Sequence, residues 1–286
     1  MTPAWKSHTA HHIPKLRPGG FPPAWRHPPF YNPEFFVMAG HNKWSKVKHI
    51  KAVVDAKRGK VFSKLAKEIT LAAKSGGGAP DTNARLRTAI QNAKAQNVPN
   101  DNIERAIKKG TGELQGAALE EVLYEGFGQG GVAMLIEVVT DNRNRSVSDL
   151  RNIFSKLGGT FADAGSVSYL FQRRGEVRLD RAALDEDSVM EIALEAGADD
   201  MLPEEDEWIV YTPVDRLFAV GGAFQGKNIT PKSQQLIYQP ATTVTLDDET
   251  TARSLLKLYD ALDDYDDTQN VHANFELTDD VMARLS

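Results

Sequence analysis

The chain has 286 residues, more than the ~100 to 200 usual for one domain, and its 41% hydrophobic and 26% charged residues are ordinary globular proportions. It contains no cysteine, which excludes disulfides, cysteine-ligated zinc and thiol catalysis, and no apolar run near the ~18 to 20 residues of a membrane span. The net charge of −5 hides a bipolar molecule: residues 38–113 hold sixteen Lys and Arg against six acids, whereas residues 114–286 hold fourteen against thirty-two. Such asymmetry points to a polyanion-binding module joined to something acidic. The lack of cysteine and of an apolar span leads to the expectation of a cytoplasmic protein with no membrane partner.

Residues 1–37 carry eight of the fourteen prolines and no apolar periodicity, so neither a regular helix nor a central strand is expected there. Proline at this density also spoils the amphipathic helix of an organelle-targeting peptide. A disordered extension is expected, with Met38 as the true first residue.

The basic module opens with an arm, His41, Asn42, Lys43, Trp44, Lys46, Lys48 and Lys51, in which an aromatic sits among cations. Trp44 can stack on a base or pack the arm onto its own domain. From Arg58 the pattern is helical: Lys60, Lys64, Lys67 and Lys74 share one face, and Phe62, Leu65, Ala66, Ile69 and Ala73 the other. Ser75-Gly-Gly-Gly-Ala-Pro80 ends this helix. Asp81 or Thr82 is placed to cap a second helix, with Leu86, Ile90, Ala93 and Asn97 on one side. Asp101 and Glu104 have capping-box spacing for a third, closed by Gly110. The expectation is a three-helix bundle with a phosphate-binding face made of the arm, Lys57, Arg58, Lys60, Lys64, Lys67, Lys74, Arg85, Arg87 and Lys94. A solvated lysine face is the alternative.

Several segments resemble the YebC/PmpR family: Met38-Ala-Gly-His-Asn-Lys-Trp-Ser-Lys46, Asp55-Ala-Lys-Arg-Gly-Lys-Val-Phe62, Asn83-Ala-Arg-Leu-Arg87, Pro99-Asn-Asp-Asn-Ile103 and Tyr124-Glu-Gly-Phe-Gly128. The resemblance runs from Met38 to near the C-terminus. Residues 1–37 have no counterpart in it, and Ile50 stands where many members continue the basic run. It implies a regulator of gene expression, since members are described as probable transcriptional regulators and mitochondrial relatives as translational activators of cytochrome oxidase.

In the acidic part, Gly126-Phe-Gly-Gln-Gly-Gly131 satisfies G-x-G-x-x-G, but it precedes the strand 132–140, whereas a dinucleotide fingerprint follows a strand and opens a helix. A helix is expected from Ser146, capped with Asp149 and buried through Leu150 and Phe154. Strands are expected at 166–172, 176–179, 208–211, 234–238, 242–246 and 271–277, with helices at 188–196, from Thr212, and around Leu255 to Leu262. The resemblance implies how these segments pair: α+β, two ferredoxin-like domains, with 172–240 inserted into a unit built from 116–171 plus 241–286, behind the basic helical domain 38–115.

Arg143 and Arg145 lie beside a helix start, where an anion contact and pairing with neighbouring carboxylates are both open readings. The acidic runs at 204–207, 247–249 and 263–267 lack calcium-loop spacing, so no metal and no cofactor is assigned. No Walker A sequence, H-E-x-x-H or nucleophile elbow is present. The expected function is a non-enzymatic nucleic-acid-binding regulator. Its partner is ribosomal RNA, in a translation factor that contacts the ribosome, or promoter DNA, in a transcriptional regulator. The rivals are a metal-dependent phosphoester or nucleotide enzyme using an acidic cleft, and a protein-interaction adaptor.

Overall fold

The computed structural model describes residues 54–182 and 184–285, with side chains described from residue 59 onward. Three helices come first: α1 (Val54–Gly76), α2 (Ala84–Ala95) and α3 (Asn100–Gly110). Their shared core is the apolar face anticipated for α1, with Ile69, Ala72 and Ala73 buried against Leu86, Ala89 and Ala93 of α2 and Ile103 and Ala106 of α3. Small residues dominate this seam and let the helices approach closely. At Gly110 a Cβ would overlap the Thr70 carbonyl oxygen of α1.

Asn83, rather than Asp81 or Thr82, caps α2. Its side-chain oxygen accepts from Leu86 N at 3.0 Å, while its amide donates to the carbonyls of Ala72 (2.8 Å) and Gly77 (2.9 Å). One acceptor and two donors on a buried side chain serve both helix ends, which neither a carboxylate nor a hydroxyl can do. Nor does the Asp101/Glu104 capping box form. The cap of α3 is Pro99, whose carbonyl accepts from Asn102 and Ile103, and Asp101 lies inside the first turn.

The next four-stranded antiparallel sheet has the order β3-β1-β2-β9, from β1 (Glu120–Phe127), β2 (Ala133–Thr140), β3 (Thr160–Ala162) and β9 (Thr268–Ala273). Helices α4 (Arg143–Lys156) and α7 (Glu249–Asp263) cover one face, burying Met134, Ile136 and Val138 of β2 against Leu150, Phe154, Leu255 and Leu258. The other face of β2 is covered too. Leu135 packs with Phe171, and Val139 with Leu71 of α1. Burial on both faces explains why β2 reads as a nearly unbroken apolar run. A short parallel pair, β8 (Val244–Leu246) with β10 (Phe275–Leu277), and helix α8 (Asp279–Leu285) complete this part.

The intervening segment runs β4 (Phe171–Asp180), α5 (Glu186–Ala196), β5 (Asp200–Pro203), β6 (Glu207–Thr212), α6 (Leu217–Gly226) and β7 (Ser233–Pro240). Its sheet order, β5-β6-β4-β7, is the antiparallel βαββαβ arrangement of a ferredoxin-like fold. The sheet that carries β2 shares its layers, four antiparallel strands under two helices, but places the β1–β2 hairpin at its centre. The described residues belong to one compact unit.

Three local expectations are corrected. The segment 166–170 is not strand, because the buried carboxylate of Glu125 accepts N–H groups from Gly165 (2.8 Å), Val167 (2.6 Å) and Ser168 (3.0 Å), which a ladder would need. Strand β4 therefore starts at Phe171 and runs unbroken through Gly175. Helix α4 starts at Arg143, capped by Asn142 at 3.1 Å from Arg145 N, so Ser146 is a buried residue within it. Finally, the Gly126–Gly131 stretch begins inside a strand, β1, that was not expected, and it leads into β2, as expected, opening no helix of the phosphate-binding kind. A Cβ at Gly126 would strike the Phe154 ring and one at Gly128 the Leu255 side chain, so these glycines serve packing.

Candidate nucleic-acid interface

The lysine face of α1 lies against the protein's own acidic loop. Lys60 Nζ donates to the Asp264 carbonyl at 2.9 Å and sits 3.4 Å from its carboxylate, and Lys64 Nζ is 2.9 Å from Asp263 Oδ1. Lys67 Nζ reaches Asp267 Oδ1 (2.9 Å) and the carbonyls of Asp266 (2.8 Å) and Val139 (3.0 Å). Lys74 Nζ donates to the Leu119 carbonyl at 2.9 Å. The acidic run 263–267 follows the C-terminus of α7, where exposed carbonyls add to the attraction for ammonium groups. The spacing places these lysines on one face, and the structure brings Lys60, Lys64 and Lys67 onto carboxylates and Lys74 onto a backbone carbonyl.

Asp267 is the centre of this contact and only 8% exposed. Its second oxygen accepts from Arg145 (2.8 Å), Thr140 (3.0 Å) and Ser146 (3.2 Å). Burial opposes its ionisation, yet the hydrogen bonds from Arg145 and Lys67 prevail and hold its pKa at about 2. Arg145 also pairs with Asp141, so the pairing reading holds for it. Arg143 remains exposed, 3.9 Å from Glu120. Arg85 bridges Glu68 of α1 and Glu121 of β1. Burial alone would lower its pKa, and its carboxylate partners, Glu68 first, raise it instead.

Of the remaining expected contacts, His41, Asn42, Lys43, Trp44, Lys46, Lys48 and Lys51 lie outside the described residues, as do the side chains of Lys57 and Arg58. Arg87 and Lys94 are exposed on α2 and make no ion pair among the described residues. The same is true of Arg105, Lys108 and Lys109 on α3, which composition counted as basic but no motif singled out. Their i, i+3, i+4 spacing places them on one side of the helix. That spacing was visible in the sequence; which lysines would be neutralised was not.

Two concavities flank the helices. A cleft of about 560 Å³ lies where α1, α2, β2 and β7 meet, with Glu68, Arg85, Glu137 and Arg173 on its walls. There Glu137 accepts from Asn270 (2.7 Å) and lies 3.2 Å from His272 Nε2; burial would raise its pKa, but these contacts keep it lowered. A second cavity, of about 400 Å³, opens between α2 and α3 beside Arg87 and Lys94.

The acidic runs have local structural roles. Asp248 caps α7 through Thr251 N and Oγ1, both at 2.7 Å, Glu249 pairs with Arg253, and Glu207 with Arg178. Among the described residues no group of three or more His, Asp or Glu is placed to hold a metal ion, and no helix is long and apolar enough to cross a membrane.

Comparison with known proteins agrees with this architecture. The TACO1/YebC N-terminal domain matches residues 42–113, and the TACO1/YebC second and third domain matches residues 119–275. A "Probable transcriptional regulatory protein" of Syntrophobacter fumaroxidans is 50% identical over 249 residues, 87% of this chain and 100% of its own length. One of Akkermansia muciniphila is 52% identical over 250 residues, with the same coverages. The crystal structure of a conserved hypothetical protein, Aq1575, from Aquifex aeolicus superposes with a TM-score of 0.76 at 46% identity, over 83% of this chain and 98% of that one. The chain belongs to the TACO1/YebC family.

Proposed function

We propose that this protein is a non-enzymatic regulator of gene expression that binds RNA through the free side of its helical module. The observation that carries this reading is a partition of charge. Lys60, Lys64 and Lys67 of α1 are paired with carboxylates within the chain and Lys74 is held by a backbone carbonyl, whereas Arg87, Lys94, Arg105, Lys108 and Lys109 stand exposed without carboxylate partners among the described residues. Unpaired cations release counterions when they meet phosphates, and already paired ones gain little. In this reading Lys60, Lys64 and Lys67 hold the module on the 263–267 loop and the end of β2, and Lys74 holds it on the Leu119 carbonyl before β1. The acidic remainder suits docking among basic proteins, as on a ribosome.

A second reading, duplex DNA, is favoured by the names of the relatives and by one feature of the module. Helices α2 and α3 are joined by the four-residue turn Gln96–Pro99, a helix-turn-helix length. Crosslinking to nucleic acid in living cells, followed by sequencing, separates the two readings, with Arg105→Gln/Lys108→Gln/Lys109→Gln as control. Enriched ribosomal RNA supports the first reading and discrete promoter DNA the second. No enrichment over the variant removes both.

A further inference from the structure

The cavity between α2 and α3 has a chemical character of its own. Ile90, half-buried, and Ile103, buried, give it an apolar floor at the edge of the bundle core. Arg87 and Lys94, seven residues apart on α2, supply two cations, and Glu104 of α3 supplies one carboxylate. None of these three charged groups makes an ion pair or a side-chain hydrogen bond among the described residues, although all line the same cavity. Arg85 of α2, by contrast, closes onto Glu68 of α1. Here the charged groups line one cavity beside an apolar surface without forming such a pair.

A ligand that satisfies all three must offer an anion to Arg87 and Lys94, an apolar face to the isoleucines, and a hydrogen-bond donor to Glu104. A nucleotide with an exocyclic amino group has these parts in one molecule. Phosphate meets the cations, the flat base covers the floor, and the amine donates to the carboxylate, as cytosine N4 does to Glu or Asp. The volume, about 400 Å³, lies within the ~300 to 1,000 Å³ range of small-ligand sites. Duplex cannot enter so small a space, but a base unstacked from a single strand can.

We infer that this cavity is a subsite for one unstacked, amino-bearing base of a single-stranded RNA, read by Glu104 and anchored by Arg87 and Lys94. It rests on the RNA-binding reading above and adds base selectivity to it. The test is fluorescence anisotropy of the full chain with short labelled oligo(C) and oligo(U), two pyrimidines that differ in the exocyclic group. Oligo(C) is expected to bind about tenfold more tightly, the scale of one base contact. Glu104→Gln should abolish that preference, and Arg87→Gln/Lys94→Gln should weaken both RNAs about tenfold, with melting curves confirming that each variant is folded. Equal affinity of the native chain for both RNAs, or a preference that survives Glu104→Gln, overturns the subsite while the broader reading stands. Failure of the native chain to bind either RNA at low salt removes the subsite together with the RNA reading.

Discussion

Lys67 Nζ lies 2.9 Å from Asp267 Oδ1, and the other oxygen of the same carboxylate lies 2.8 Å from Arg145. One buried anion thus ties a helix of the basic module to α4, and the Asp266 and Val139 carbonyls complete the lysine's shell. Lys60 and Lys64 repeat the contact toward solvent, where each pair contributes less because water screens it.

Asp267→Asn keeps the shape of this hub but removes its charge. Charge-assisted hydrogen bonds in such settings contribute ~1.5 to 3 kcal/mol, so a loss of about 2 kcal/mol is expected in urea denaturation. Asp264→Asn, at the exposed end of the stripe, should change stability by less than about 0.5 kcal/mol.

The same carboxylate predicts a pH dependence. Its folded pKa, about 2, is below the ordinary Asp value of 3.8, so its stabilisation is fully present above the ordinary value and is lost as pH falls toward 2. Glu125 and Glu137, also shifted down, act in the same direction. Denaturation midpoints should fall steeply between about pH 4 and pH 2. The Asp267→Asn protein should show a shallower decline over that window.

Charge removal on α3 should separate binding from folding. Arg105→Gln/Lys108→Gln/Lys109→Gln removes three exposed cations, so the slope of log affinity against log salt should shrink by about 2 for single-stranded RNA. The melting temperature should stay within a degree or two. An unchanged slope would take these residues out of the interface. By contrast, Lys60→Glu/Lys64→Glu/Lys67→Glu faces Asp263, Asp264 and Asp267, and should destabilise the attachment of the module before any effect on binding can be read.

Gly110→Ala tests the close approach of α3 to α1. The added methyl would meet the Thr70 carbonyl and the Ala73 side chain, and overpacking of this kind costs ~1 to 3 kcal/mol. Gly112→Ala, two residues on, meets no neighbouring atom but strains a φ of +82°, so it should cost about 1 kcal/mol.

Sequence periodicity located α1, its two faces, and β2 because both are long and their patterns repeat many times. It failed where a distant group decides the local structure. Residues 166–170 alternate like a strand, but the Glu125 carboxylate takes their N–H groups. Ser146 and Asp149 have cap spacing, but Asn142 lies one turn earlier and caps the helix itself. Strand β1 is not legible in the sequence because Glu120, Glu121 and Glu125 interrupt its apolar pattern, and only the fold shows Glu125 buried with three N–H partners.

The sequence by itself determined the charge asymmetry, the basic helical module and the alternation of α+β segments that follow, since these depend on composition and short-range spacing. Only the tertiary structure decided which cations remain free. A lysine's availability depends on what lies within about 4 Å of its ammonium, and for Lys67 that partner is 200 residues away in the chain. Thus three lysines of the stripe that the sequence offered for phosphates meet carboxylates far along the chain, while Arg87, Lys94, Arg105, Lys108 and Lys109, on the two helices beside it, have no such partner among the described residues.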